Sequence, residues 1–257
     1  MLQILNLSAQ FVKNNILSAK FFAFLQRIIE LESDQDHEEN VMKAKSLAGK
    51  ILGKNKMGPL VFVTPEYGKY CKVGGIAVMV QDLCETLARF GEEVIVVMPY
   101  YHSNSKGETN YMDQWGVEYK KNIDIYLKDH HEFGVHYVED RGVKIYFLHN
   151  PHIYPLVYAN LGPLHIVSQL ACTGKSTLEL LCQEGIKPSV VVTNDWPAGL
   201  VAAYHKDGKF GDYFNDSKFF HILHNADSSH EGRIYIDNKD DCCHLHHLPA
   251  DFLIDPY

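Results

Sequence analysis

Leu60-Val61-Phe62-Val63-Thr64 and Val94-Ile95-Val96-Val97-Met98 are two short runs of β-branched, aromatic and aliphatic residues, and the stretch between them decides the fold. Neither run alternates with polar residues, so each reads as a strand buried on both faces. Between them Ile76, Val80, Leu83, Leu87 and Phe90 recur at spacings of four, three, four and three, which is one face of a helix. Gly91 stands where a helix commonly ends in the left-handed conformation. Strand, helix and strand in that order make the βαβ unit of a parallel sheet. Pro65 closes the first strand ahead of a glycine-bearing loop, and Pro99 predicts the end of the second.

Downstream, Val117 to Leu127, Phe133 to Val138 and Val143 to Leu148 read as strands, with Asp140-Arg141-Gly142 as a turn, and form a β insertion. Alternation then resumes with a helix from Leu164 to Gln183, a strand at Val190 to Thr193, a helix from Pro197 to His205 and a strand at Phe219 to Leu223. The class is α/β, a doubly wound parallel sheet of Rossmann type. Upstream, Leu5, Val12, Ile16, Phe21, Phe24, Leu25, Ile28 and Ile29 keep close to helical periodicity, and Glu30 to Lys56 is acidic and polar. The organisation expected is a helical extension and acidic linker over 1–56, then one domain over 57–257.

The composition narrows the function. With 24 basic against 32 acidic residues the net charge is −8, so the chain lacks the basic footprint that nucleic acid requires. Lys13, Lys20 and Arg27 interrupt the N-terminal apolar residues, which leaves no stretch long enough to span a bilayer. The same segment has no acid before Glu30, which keeps a transit-peptide reading open beside a cytoplasmic one. Six scattered cysteines without a secretory leader point to reduced thiols.

In an open parallel sheet, ligands bind beyond the carboxyl ends of the strands, so loops that follow strands are where chemistry is sought. The first, Glu66 to Gly75, carries Gly74 and Gly75 at the head of a helix, where backbone amides can meet an anion, and Lys72 as a point charge. A glycine pair before a helix is more often a tight turn. In the second, Asn194-Asp195-Trp196-Pro197, the carboxylate of Asp195 serves either as a helix cap or as a ligand group. The third, His224-Asn225-Ala226-Asp227, aims an imidazole and an amide at the same edge. Three polar loops converging on one edge make a site.

Other signals are decoys. Gly174-Lys175-Ser176-Thr177 ends like a phosphate-binding loop, but Gln169 stands where the motif needs glycine and no strand precedes it. Asp240 to His247 contains metal-ligand residue types without the separated pairs of a zinc site. No G-x-G-x-x-G follows the first strand, which excludes the usual nicotinamide fingerprint.

Val63-Thr64-Pro65-Glu66, Lys72-Val73-Gly74-Gly75-Ile76-Ala77, Val97-Met98-Pro99, Asn194-Asp195-Trp196 and His224-Asn225, in this order, resemble the glycogen/starch synthases. The resemblance implies the N-terminal half of a GT-B fold and transfer of glucose from UDP-glucose or ADP-glucose to the non-reducing end of an α-1,4-glucan, with retention and without a metal or other cofactor. It implies that Lys72, Gly74 and Gly75 lie against the donor diphosphate, that Asp195 shapes the sugar and acceptor side, and that His224 and Asn225 contact the transferred glucose. Val78 and Pro197 depart from the family, which commonly has Asp and His there. Glu231-Gly232-Arg233-Ile234-Tyr235, Leu248-Pro249 and Asp255-Pro256 are more similar to an atypical eukaryotic branch that favours UDP-glucose. Residues 57–257 provide only the acceptor-side domain, so a missing C-terminal GT-B domain and inactivity alone are expected. The rival expectation is a non-catalytic glucan-binding or scaffold protein.

Overall fold

The structure, a computed structural model, describes residues 58–104, 106–109, 111–159, 161–224 and 245–249. The amphipathic N-terminal segment, the acidic linker, Asn225 and most of the Asp240 to His247 cluster lie outside the described residues.

The elements run β1 (Leu60–Val63), α1 (Gly75–Arg89), β2 (Val94–Tyr100), β3 (Glu118–Tyr126), β4 (His130–Asp140), β5 (Val143–His149), α2 (Pro163–Gln183), β6 (Val190–Asn194), α3 (Val201–Lys206) and β7 (Lys218–Ile222). They build a seven-stranded sheet of order β3-β4-β5-β2-β1-β6-β7. The five strands from β5 to β7 are parallel, and β4 and β3 continue the sheet antiparallel. The predicted β insertion is therefore part of the main sheet, because β5 pairs along β2 from Val94↔Val143 to Tyr100↔His149.

Two differences from expectation bear on the strand ends. β2 continues through Pro99 to Tyr100. β1 stops at Val63, opposite Val97, so the end of β2 is paired on the β5 side only, and an edge-like position tolerates proline. The helix predicted from Pro197 to His205 is split into a 3₁₀ turn, Trp196–Ala198, and the short α3, with Gly199 between them donating to the Trp196 carbonyl.

Parallel strands joined by right-handed crossovers place their helices by direction of travel. The connection through α1 steps from β1 to β2, whereas the one through α2 runs the opposite way, from β5 past β2 and β1 to β6, so the two helices cover opposite faces. Alternation follows from this. Val61, Val63, Ile95 and Val97 join Ala171, Cys172 and Leu178 of α2 in the main core. Leu60, Phe62, Val94 and Val96, also buried, fill the other face. Gly174 lies inside α2, and a Cβ there would meet the Tyr204 ring at 2.8 Å. The glycine-lysine-serine-threonine stretch is thus a helix-packing element. Lys120 and Lys121 of β3 reach Glu184 behind α2 at 2.9 and 2.6 Å and tie the antiparallel edge to the helix layer.

The strand order reverses between β1 and β6, since β1 leads away toward β2 while the chain returns to β6 on the other side. That switch point opens a crevice beyond the carboxyl ends of β1 and β6.

Candidate active site at the strand switch point

Beyond Val63, Thr64 and Glu66 close a tight turn in which the Thr64 hydroxyl donates to the Glu66 carbonyl at 2.8 Å. The turn buries the Glu66 side chain. One carboxylate oxygen accepts the amides of Val73 and Gly74 at 2.7 and 2.8 Å, and the other accepts the Tyr158 hydroxyl at 2.6 Å. Glu66 thereby fastens the glycine loop to the segment between β5 and α2. Burial, the hydrogen bond to Glu66 and its negative charge raise the Tyr158 pKa, so the phenol stays a donor. Burial and the same carboxylate push the Cys71 thiol up to about 12, too high for a thiolate nucleophile at neutral pH.

Asp195, at the end of β6, is buried and has φ 57° and ψ 179°. Only glycine visits that region without strain, and holding another residue there costs roughly 1–3 kcal/mol. Its amide donates to the Ile222 carbonyl at 2.8 Å, which fixes the residue between β6 and β7. Tyr158 is also left-handed, with φ 52°.

His224 follows β7. Its Nε2 is 3.0 Å from the Asn194 side-chain oxygen, while the Asn194 amide nitrogen donates to the Val63 carbonyl at 3.2 Å. Because Asn194 uses its N–H₂ on Val63, its oxygen must accept, so Nε2 of His224 carries a proton, and the tautomer that fits this bond leaves Nδ1 as the acceptor. One amide thus links the ends of β1, β6 and β7.

A cavity of about 410 Å³ is lined by Glu66, Val73, Gly74, Gly75, Ile76, Tyr158, Asp195 and His224. Of the sequence-nominated residues, Gly74, Gly75, Asp195 and His224 meet in it. Lys72 instead lines the neighbouring hollow, with Val73 between the two. The Gly74 amide is engaged by Glu66, so the N-terminal donors of α1 that remain for a ligand begin at Gly75 and Ile76, whose amides have no acceptor within the helix. A Cβ at Gly75 would meet nothing within 4 Å, so the fold itself does not demand glycine there.

Sequence reasoning passed over Tyr158 and quoted Glu66 and Asn194 only as parts of motifs. Tyr158 lies in the loop after β5, which reading β5 as an insertion strand had removed from the search. Treating it as a parallel strand puts a fourth loop on the same edge. Among the described residues no group of three or more His, Cys, Asp or Glu is arranged to hold a metal, and no helix is long and apolar enough to cross a membrane.

The starch synthase catalytic domain family matches residues 59–256. Among curated proteins the chain is similar to the glycogen synthase of Photobacterium profundum, 29% identical over 176 residues that cover 65% of this chain and 33% of that protein. It is similar also to the glycogen synthase of Thermotoga petrophila, 28% identical over 173 residues, or 65% and 35% of the two. Its fold is like that of the catalytic domain of starch synthase IV from Arabidopsis thaliana, solved bound to ADP and acarbose, with a TM-score of 0.63, 19% identity, and coverage of 77% of this chain and 38% of that one. The chain spans about a third of the length of these curated relatives. Since the family match takes in most of its residues, the chain belongs to the glycogen/starch synthase family of glycosyltransferases.

Proposed function

We propose that this chain is the acceptor-side half of a retaining glucosyltransferase that passes glucose from UDP-glucose or ADP-glucose to the non-reducing end of an α-1,4-glucan. The observation that carries the reading is Asp195, a buried carboxylate at a glycine-like backbone geometry, in one cavity with the N-terminus of α1 and the His224 imidazole. Strain of that kind persists where a function needs the side chain in that position.

The roles follow from the donors and acceptors. The first-turn amides of α1, at Gly75 and Ile76, supply partial positive charge to a diphosphate, and Gly75 allows its close approach. Lys72 adds a full charge from the neighbouring hollow. Asp195 accepts hydroxyls of the sugar, and His224, held by Asn194, presents Nδ1 as a further acceptor at the mouth of the cavity. Asn225, next in sequence, is proposed to contact the same glucose. The match covers only about a third of the curated relatives' length, and the Arabidopsis structure was solved bound to ADP and acarbose. Both support a donor-side domain facing this one, with diphosphate charge stabilised from both walls of the cleft.

The test is made on the 257-residue chain with maltoheptaose, UDP-glucose and ADP-glucose. Binding of the glucan without glucose incorporation into glycogen is expected. Incorporation by this chain alone would overturn the need for a second wall, and failure to bind glucan and both nucleotide sugars would overturn the reading itself.

A further inference from the structure

Val73, which is 61% exposed, separates the strand-end cavity from a second hollow of about 210 Å³. The floor of that hollow is Tyr70 and Tyr101, both buried, and half-buried Tyr111 and Trp115 stand over it. The rings brace one another. Trp115 meets Tyr70 edge-on with centroids 5.5 Å apart and Tyr111 edge-on at 6.2 Å. The Tyr70 hydroxyl donates to Asp140 at 3.1 Å and the Tyr101 hydroxyl to the Pro65 carbonyl at 3.0 Å, so the floor is fixed from behind. Of the two lysines that line the hollow, Lys69 is neutralised by Asp140 at 2.9 Å, which leaves Lys72 beside Val73 as the second cation.

We infer that this hollow is a sugar subsite that seats one glucosyl ring of an α-glucan, away from the end that reacts. The inference rests on the glucosyltransferase reading and deepens it. Aromatic rings set beside Lys72, Ser103 and Asn104 suit an amphipathic, hydroxyl-bearing ligand, and a pyranose presents apolar C–H faces with hydroxyls at its edge. The volume is below that of pockets which enclose drug-sized ligands, roughly 300–1,000 Å³, and fits a single ring rather than a whole nucleotide sugar. The wall shared through Val73 lets one glucan chain occupy both spaces.

The chain has two tryptophans, Trp115 and Trp196. Labelling it with 5-fluorotryptophan therefore yields two ¹⁹F signals, assigned by Trp196→Phe, and a ¹H–¹⁵N spectrum follows the His224 ring independently. Maltoheptaose should shift the Trp115 signal saturably, and Tyr111→Ala should weaken that binding roughly three- to tenfold, the loss of one aromatic contact. Tyr111→Phe, which keeps the ring, should weaken it far less. A maltoheptaose shift at His224 with none at Trp115 would overturn the subsite and leave the glucosyltransferase reading standing. A Trp115 shift with UDP or ADP but not with maltoheptaose would also overturn it, and silence of both residues toward maltoheptaose, UDP-glucose and ADP-glucose would overturn both readings.

Discussion

Asp195 and Arg141 are both non-glycine residues with φ near 55°, at 57° and 51°, yet they answer to different physics. Arg141 and Gly142 form the two-residue loop between β4 and β5, with Asp140 paired to Val143, and both have positive φ. Such a loop has the twist that a hairpin requires, so the left-handed residue is explained by the strands it joins. Asp195 joins a parallel strand to a 3₁₀ turn, where no hairpin calls for that geometry. The antiparallel edge also sets its charges in local pairs, Arg141 with Glu85 and Lys120 and Lys121 with Glu184. At the switch point the Glu66 carboxylate is held by amides and a phenol. The same kind of outlier is architecture at one end of the sheet and points to chemistry at the other.

The change that strikes the switch point hardest is Glu66→Ala, which leaves two amides and a phenol without their acceptor. A buried charge that accepts three hydrogen bonds should cost about 2–3 kcal/mol on removal. Denaturant unfolding measures this, and faster hydrogen exchange at the Val73 and Gly74 amides places the damage in the loop. Glu66→Gln should lie between, because its single carbonyl can accept while its N–H₂ faces another donor. Equal protection of those amides in wild type and Glu66→Ala would show that the loop stands without the carboxylate.

Next in size is Asp195→Gly, and its sign is the informative part. Glycine occupies φ 57°, ψ 179° without strain, so the variant should gain about 1–2 kcal/mol, net of the greater entropy of its unfolded chain. Binding of maltoheptaose should weaken at the same time. Stability rising while binding falls is the mark of a strained functional residue. A fall in both would mean that the carboxylate holds the fold together, and the contrast with Arg141 would collapse.

Arg141→Asn is the matched change at the other end of the sheet. Asn-Gly suits this turn, and the exposed Arg141 to Glu85 pair contributes little, so unfolding should shift by no more than about 0.5–1 kcal/mol, with glucan binding unchanged. A loss of binding here would couple the hairpin to the cavity and break the comparison.

What the residues disclosed before any coordinates divides along the same line. Gly74, Gly75, Asp195 and His224 could be nominated because each follows a run that reads as a strand, and the parallel-sheet rule brings such loops together. Glu66 carried no signal of its own, since a carboxylate after Pro65 reads as a loop residue until the Val73 and Gly74 amides are seen to converge on it. Tyr158 was hidden by topology, because Val143 to Leu148 looks the same whether it ends a hairpin or pairs with β2. Pro99 misplaced an end of β2 that only the short length of β1 explains. Lys72 was grouped with the glycines by proximity in sequence, and it lies across Val73 from them.

At neutral pH the smallest effect expected belongs to the antiparallel edge, because it emerges only as pH falls. His149, at the end of β5, stacks with His102 at 6.0 Å and meets His136 of β4 at 5.7 Å, with the Tyr100 ring 4.9 Å away. Burial first, then the charges that His136 and His102 would carry, lower its pKa from 6.5 to about 4. Asp113 acts in the opposite direction on His136, whose pKa burial nonetheless lowers. In the unfolded chain His149 takes up its proton near pH 6.5, whereas in the folded protein it does so only near 4. Over that interval the unfolded state binds more protons, so stability is fully present above pH 6.5 and declines as pH falls toward 4. His149→Phe keeps a ring against Tyr100 and His102 and removes this titration. Its melting temperature should therefore fall less steeply than that of wild type between pH 6.5 and 4, with a separation at the acid end of roughly 2–4 °C for each kcal/mol recovered. Parallel melting curves for the two proteins over that range would show that His149 titrates normally in the fold. The cluster would then be a packing element of the ribbon with no part in its acid sensitivity.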